Sequence, residues 1–265
     1  MSKEQKSLDT LRHSASHIMA AAVLELFPET KVAIGPSIED GFYYDFDRSA
    51  PFTPEDLVKI EEKMKEIIKA DEPFIRSTMP KEDAIKDFKA KGEKYKAEIA
   101  SEIEDDEVSI YKSGTFTDLC RGPHVASTGE VRNFKLLSVA GAYWRGDSSR
   151  EMLQRIYGTA FFTKEELEDY LKKAEEAQKR DHRKLGKELD LFSVNDAVGG
   201  GLILWHPKGA LLRDIIETNW KKFHLDNDYE LLMTPHIASE ELFAISGHLQ
   251  TYSENMYAPM EIEGK

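Results

Sequence analysis

The sequence is poor in several things, and each shortage excludes something. It has one cysteine, Cys120, so no internal disulfide can form. No apolar run approaches the roughly 18 residues that a bilayer crossing demands. The start, Met1 to Thr10, is polar, and the apolar stretch from Ile18 to Phe27 is short and contains Glu25, which fits neither a signal peptide nor a spanning helix. Positive charge is scarce too. The 36 Lys and Arg face 49 Asp and Glu, and the resulting net charge of −13 argues against indiscriminate adhesion to nucleic acid while leaving room for a local basic surface. Repeats and low-complexity tracts are missing. The expectation is a soluble cytoplasmic protein with no membrane partner.

What is present is core material. Thirteen Phe, 10 Tyr and 3 Trp, with a spread of Leu and Ile, supply apolar area that a disordered polymer lacks. At roughly 150 residues per domain, 265 residues suit about two domains.

The pattern along the chain predicts an α+β protein. From Asp9 or Thr10 to Phe27, Leu11, Ala15, Ile18, Ala22 and Leu26 recur at helical spacing, and Pro28 closes the helix. Strands are predicted over Val32 to Ile38 and Phe42 to Phe46, around a Glu39-Asp40-Gly41 turn whose Asp-Gly tolerates positive φ. Thr53 before Pro54, with Asp56 three residues on, starts a helix whose buried stripe is Leu57, Ile60, Met64 and Ile67. A strand from Phe74 to Thr78, a helix from Pro80 to Ala90, and strands at Val108 to Tyr111, Phe134 to Val139 and Met152 to Tyr157 follow. Without regular βαβ spacing, these imply a largely antiparallel sheet.

From Lys164 to about Leu189 the pattern is one long charged helix, acidic in front and basic behind. The basic end either complements the helix dipole or contacts phosphates. Beyond it come a Gly199-Gly200-Gly201 turn, an amphipathic helix from about Pro207 to Leu225 (Leu211, Leu212, Ile215, Ile216, Trp220 and Phe223 on one side) and a strand from Tyr229 to Met233 ended by Thr234-Pro235. These last 75 or so residues read as an open-ended piece of a domain. The predicted organisation is 1–163, a helical linker over 164–189, and 190–265.

Two local patterns carry chemistry. In His13-Ser14-Ala15-Ser16-His17 the histidines at i and i+4 project from one helix face. Eight His in such a chain yield roughly a quarter of one such pair by chance, so the pair alone is a weak signal. The second pattern, Asp118-Leu119-Cys120-Arg121-Gly122-Pro123-His124, spends the only cysteine, and Gly122-Pro123 forces a bend between Cys120 and His124. His13, His17, Cys120 and His124 make either a tetrahedral zinc set or a metal-free polar pocket that orients water and substrate.

These residues resemble a known family. His13-x-x-x-His17, Gly35-Pro36, Gly41-Phe42-Tyr43-Tyr44-Asp45, Cys120-Arg121-Gly122-Pro123-His124 and Gly141-Ala142-Tyr143-Trp144-Arg145-Gly146-Asp147 together resemble the editing domain of bacterial threonyl-tRNA synthetases, itself related to the editing modules of alanyl-tRNA synthetases. Arg180-Asp181-His182-Arg183-Lys184-Leu185-Gly186 and Leu189-Asp190-Leu191 are similar to that family's bridge into its catalytic domain. The helix over 207–225 and the strand ending at Pro235 are similar to class II motif 1, the dimer surface of that class. The family's leading ubiquitin-like domain, its motifs 2 and 3 and its anticodon-binding domain have no counterpart in these 265 residues. ATP and the zinc that recognises threonine are therefore expected only in the complete synthetase.

The resemblance implies hydrolysis of serine from mischarged threonine tRNA, with the acceptor end of that tRNA as partner and a homodimer as assembly. It implies that His13 and Lys96 activate water and stabilise charge, while His17, Cys120 and His124 shape the pocket. Asp118 would pair with the ammonium of the amino acid, Tyr44 would wall the adenosine or the side chain, and Arg145 would meet a backbone phosphate. Zinc on His13, His17, Cys120 and His124 stays open, since the alanine-editing modules use a similar set for metal and the threonine type is thought to edit without it. A zinc-dependent hydrolase of another ester, a free-standing deacylase and a non-catalytic tRNA-binding or dimerisation module are the competing readings.

Overall fold

The computed structural model describes residues 3–260, with side chains described from residue 8. It divides into two compact units, residues 1–178 and 179–265.

The first unit is built on a long helix. Helix α1 (Lys3–Leu26) buries Leu11, Ala15, Ile18, Met19, Ala22 and Val23, so the predicted stripe is inside. Strands β1 (Lys31–Val32), β2 (Ser37–Ile38) and β3 (Gly41–Asp47) follow. The predicted strand over 32–38 is interrupted at 33–36, where Pro36 has no N–H to offer a ladder. Alternate residues of β3 divide the sheet's two faces. Phe42, Tyr44 and Phe46 enter the core that α1 covers, while Asp45 on the other face takes both forks of Arg155, at 2.7 and 2.9 Å.

Helix α2 (Pro54–Ala70) starts as predicted. The Asp56 N–H donates to the Thr53 hydroxyl and the Thr53 N–H to the Asp56 carboxylate, both at 3.2 Å. Ile60 and Met64 are fully buried against α1. Strand β4 (Ile75–Pro80), helices α3 (Lys81–Ala90) and α4 (Lys94–Glu102), and strands β5 (Glu107–Ser113) and β6 (Phe116–Leu119) form a subdomain. Its three strands run in the order β4-β5-β6, all antiparallel, with Ala84, Phe88 and Ala97 of the helices packed on Val108 and Ile110 of the sheet. Strands β7 (Asn133–Tyr143) and β8 (Met152–Phe161) complete the larger antiparallel sheet in the order β1-β3-β8-β7, with β2 also on β3. Helix α5 (Lys164–Lys179) comes next.

The predicted single helix over 164–189 is two. It breaks at Arg180 and Asp181, where the Asp181 carboxylate accepts from the Arg183 N–H at 2.8 Å and so caps α6 (His182–Glu188). A residue able to bond its own backbone this way competes with helix continuation. In the second unit β9 (Phe192–Val194) and β10 (Ile203–Trp205) form a hairpin around the Gly199–Gly201 turn, and α7 (Pro207–Leu225) follows as predicted. Residues 229–233 are not a strand: no described residue pairs with them, and an unpaired strand has nowhere to bond its backbone. Short helices α8 (Glu240–Ile245) and α9 (His248–Thr251) come after. The whole is α+β, with antiparallel sheets. No helix of the described residues is long and apolar enough to cross a membrane.

The reciprocal cap at Thr53 gives a test of this reading. Thr53→Ala is expected to lower unfolding free energy by about 1 kcal/mol, measured by urea denaturation, and Thr53→Ser to restore it. Equal stability of all three proteins would contradict the cap's role.

Candidate active site

Two segments more than a hundred residues apart meet in the first unit. Helix α1 presents His13 and His17 one turn apart, their ring centroids separated by 5.0 Å. Just past β6, Cys120 begins a turn through a cis Gly122-Pro123 bond that brings His124 back beneath α1. The His124 ring stands 4.4 Å from that of His13 and 4.3 Å from that of His17. Cys120 Sγ lies 3.3 Å from His13 Nε2 and 3.3 Å from His124 Nε2, and accepts from the Gly122 N–H at 3.2 Å. One donor atom from each of the four residues falls within 4.8 Å of every other. The turn needs glycine at 122, where φ is +70° and a Cβ would fall 2.3 Å from the Tyr111 hydroxyl.

A hydroxyl on α1 fixes the proton on His124. Ser14 Oγ donates to the Thr10 carbonyl (2.8 Å), accepts the Val125 N–H (3.0 Å) and lies 3.1 Å from His124 Nδ1. With its one proton on Thr10, Ser14 can only accept from the imidazole, which therefore holds its proton on Nδ1 and turns the Nε2 lone pair toward Cys120. The phenyl ring of Phe74 stacks on His124 at 4.7 Å and fixes its plane. The Pro123 carbonyl accepts from the His13 ring, and His17 Nε2 lies 3.6 Å from an Asp118 oxygen. His13 and His124 thus each have an oxygen partner on one side and the Cys120 sulfur on the other.

Behind the cluster is a second, buried network. The Tyr44 hydroxyl donates to Asp118 Oδ2 at 2.6 Å, Lys96 Nζ donates to the Tyr44 oxygen at 3.0 Å, and Lys96 closes an ion pair with the other Asp118 oxygen. Lys96 and Asp118 are 3% and 2% exposed, so neither is the surface charge its residue type suggests. Backbone at Gly35 lies close against this network. A Cβ there would sit 2.0 Å from the Tyr44 ring, so only glycine lets the chain pass.

Burial sets the charges. Desolvation pulls the His124 imidazole down to about 2 and lowers that of His13. His17 is held well below its ordinary value by burial, then by His13 and Lys96, because Lys96 already neutralises the Asp118 carboxylate beside it. Burial pushes the Cys120 thiol up to about 11 and raises the Tyr44 phenol well above its usual range. At neutral pH the cluster holds three neutral imidazoles and a protonated thiol, set beside one buried ammonium. The four donors also fit a zinc ion, since one donor atom from each imidazole and the sulfur converge, and His13 and His124 carry outer oxygen partners.

The cluster borders an open cleft of about 910 Å³, reached by His13, His17, Gly35, Lys96, Asp118 and Cys120. His124 and Tyr44 stand behind this wall. The Tyr44 ring is fully buried, stacked on Phe46 at 5.1 Å, so it presents no open face to a ligand; its hydroxyl is the part that reaches the network. Of the other residues picked from the sequence, Arg145 does not join the cluster. It lies over the Trp144 ring and pairs with Glu98 (3.1 Å) and Glu102 (2.5 Å) of α4. Pro235 belongs to the second unit, in an irregular stretch between α7 and α8. Sequence reasoning missed Ser14 as the link from α1 to His124; a small polar residue flanked by Ala15 on a buried helix was the available signal.

Residues 108–157, from β5 through most of β8, match the family described as the threonyl and alanyl tRNA synthetase second additional domain. The chain is 58% identical over 255 residues to the threonine–tRNA ligase of Citrifermentans bemidjiense, covering 96% of this chain and 40% of that one. It is 56% identical over 264 residues to that of Dehalococcoides mccartyi (100% and 45%) and 53% identical over 260 residues to that of Nitrosococcus oceani (98% and 40%). Along nearly its whole length this chain is therefore related to threonine–tRNA ligases, and it spans less than half the length of these curated relatives.

Depressed imidazoles make stability depend on pH. Above pH ~6.5, His17 is neutral folded and unfolded; below it, the unfolded chain takes up a proton that the buried ring refuses, at about 1.4 kcal/mol per pH unit. Urea denaturation at pH 7.5 and 5.5 is expected to show stability falling toward acid, and falling less in His17→Gln. An identical pH dependence in both proteins would contradict the assignment.

Proposed function

We propose that this chain carries the editing site of a threonine–tRNA ligase, working in the cytoplasm, and that the site hydrolyses the ester of serine wrongly joined to threonine tRNA. The relationship to threonine–tRNA ligases supplies the substrate class. The observation that carries the chemistry is the convergence of His13, His17, Cys120 and His124 on one point of the cleft wall beside the buried Lys96. Such a site answers a physical need. Serine lacks one methyl of threonine, and a missing methyl discriminates by only about 1–3 kcal/mol, or 10- to 200-fold.

Hydrolysis of an ester needs a water activator and a group that steadies the oxyanion. In this reading His13, neutral and at the cleft wall, takes a proton as the water oxygen adds to the carbonyl carbon. The Lys96 ammonium faces the oxyanion. As the tetrahedral adduct collapses, the ester C–O bond breaks and the ribose hydroxyl leaves with the proton that His13 returns. His17, Cys120 and His124 shape the pocket, and Asp118, which borders the cleft and is shared with Lys96, is the carboxylate assigned to the α-ammonium.

Zinc would be held by the same four residues and would supply Lewis-acid chemistry there. The scheme assigns each role to a side chain, so deacylation is expected to persist after exhaustive chelation. Loss of activity on chelation, restored by zinc, would contradict that.

The decisive assay is release of labelled serine from mischarged threonine tRNA. His13→Ala and Lys96→Ala are each expected to lose about a hundredfold or more, while circular dichroism shows the fold kept. Unchanged rates in both variants would overturn the roles given to these residues.

By the same relationship the apolar stripe of α7, with the segment to Pro235, serves as a dimer surface. Leu211, Ile216 and Phe223 are 61%, 59% and 64% exposed. Sedimentation equilibrium is expected to give a dimer that Ile216→Glu converts to monomer, and a monomeric unaltered chain would contradict it.

A further inference from the structure

Two arginines of the first unit differ from all its others. Arg12 donates to the Ala160 and Glu39 carbonyls, Arg48 to Glu29, Arg132 to the Gly129 carbonyl, Arg145 and Arg150 to Glu98, and Arg155 to Asp45. The side chains of Arg76 and Arg121 have neither a hydrogen bond nor an ion pair with any described residue. Both are exposed, and both line the cleft that ends at the candidate active site. In a chain of net charge −13, with acidic partners in excess, two unengaged guanidinium groups in one cleft are an arrangement that solvation alone does not require.

Topology sets their separation from the reacting centre. Arg76 on β4 pairs with Tyr111 on β5, and Tyr111 pairs with Asp118 on β6. Residues directly opposite share a face, so Arg76 stands on the Asp118 face two strands away, roughly 10 Å across the sheet. Arg121 follows Cys120 directly in sequence. Between them the cleft wall includes Thr78 and Ser109, a second opposed pair on the same ladder. Ile99 and Ile103 of the α4 segment give the cleft an apolar side. Asp105 and Glu107 also line it, so the cleft is not uniformly basic.

We infer that Arg76 and Arg121 are phosphate-binding residues that hold the single-stranded 3′ end of the RNA along this cleft, with a base against the Ile99–Ile103 side. The planar guanidinium fork matches a phosphate's oxygens, and single-stranded RNA offers both phosphates and unstacked bases. The inference rests on the editing reading for its ligand, and it transfers the phosphate-contacting role expected of Arg145 to two residues that are free to perform it.

The test uses the full chain and an uncharged RNA hairpin with a four-nucleotide single-stranded 3′ overhang, read by fluorescence anisotropy across a salt series. Arg76→Gln and Arg121→Gln are each expected to weaken binding and to lower the slope of log K against log salt by about 0.7, the value for one single-strand phosphate contact. Arg132→Gln, outside the cleft, serves as the comparison. Affinity and slope unchanged in both cleft variants would overturn the inference. A second measurement compares seryl-RNA with 3′-seryladenosine, which has no phosphate. A larger loss of hydrolysis on the RNA supports the phosphate role, and equal losses on both substrates overturn it. If the unaltered chain binds the overhang but hydrolyses neither ester, the editing reading fails while the binding result still decides the arginines.

Discussion

The Ser14 hydroxyl ties together two segments that the chain separates by 110 residues, and the rest of the site depends on that tie. It has one proton and two lone pairs, and it uses all three: on the Thr10 carbonyl, the Val125 N–H and the His124 imidazole. Because it is saturated, α1 and the loop after β6 have one register relative to each other. That register sets His13 and His17 against Cys120 and His124. The buried position also supplies the chemistry, since the desolvation that makes charged imidazoles unfavourable leaves them neutral and able to accept a proton.

The two networks in the site have opposite electrostatic logic. Around Cys120 the groups are held neutral, while behind them Lys96 and Asp118 are kept as a charge pair with Tyr44 between them. A buried pair of this kind is costly to split, because removing one member strands the other's charge. The pair therefore anchors a cation beside a neutral cluster, an arrangement suited to a reaction in which negative charge develops on a carbonyl oxygen.

Much of this was legible in the sequence, for identifiable reasons. The stripe of α1, the Thr53-Pro54-Asp56 start of α2, and the Gly199-Gly200-Gly201 turn are local patterns, and local patterns survive folding. The four metal-like ligands were legible because cysteine is scarce and Gly122-Pro123 dictates a bend. What was not legible depended on distant partners. Helix α4 lies in a run so rich in charge that its buried Tyr95 and Lys96 do not stand out, and β6 is four residues long. The burial of Lys96 and Asp118 was not legible, because it depends on their pairing across distant parts of the chain. Arg145 was expected at a backbone phosphate, and its partners Glu98 and Glu102 sit on that same unforeseen helix. The segment over 229–233 has strand composition but no described neighbour to pair with, and composition alone does not make a strand.

The account's central claim is that the three imidazoles and the thiol form one site for an aminoacyl ester on adenosine. The most direct measurement is a titration with the non-hydrolysable amide analogue of seryladenosine, followed through the histidine ring resonances. The account predicts that the signals of His13, His17 and His124 shift together along one saturating curve, while those of His224, His236 and His248 stay in place. Shifts confined to the latter group, or none at saturating analogue, would contradict it.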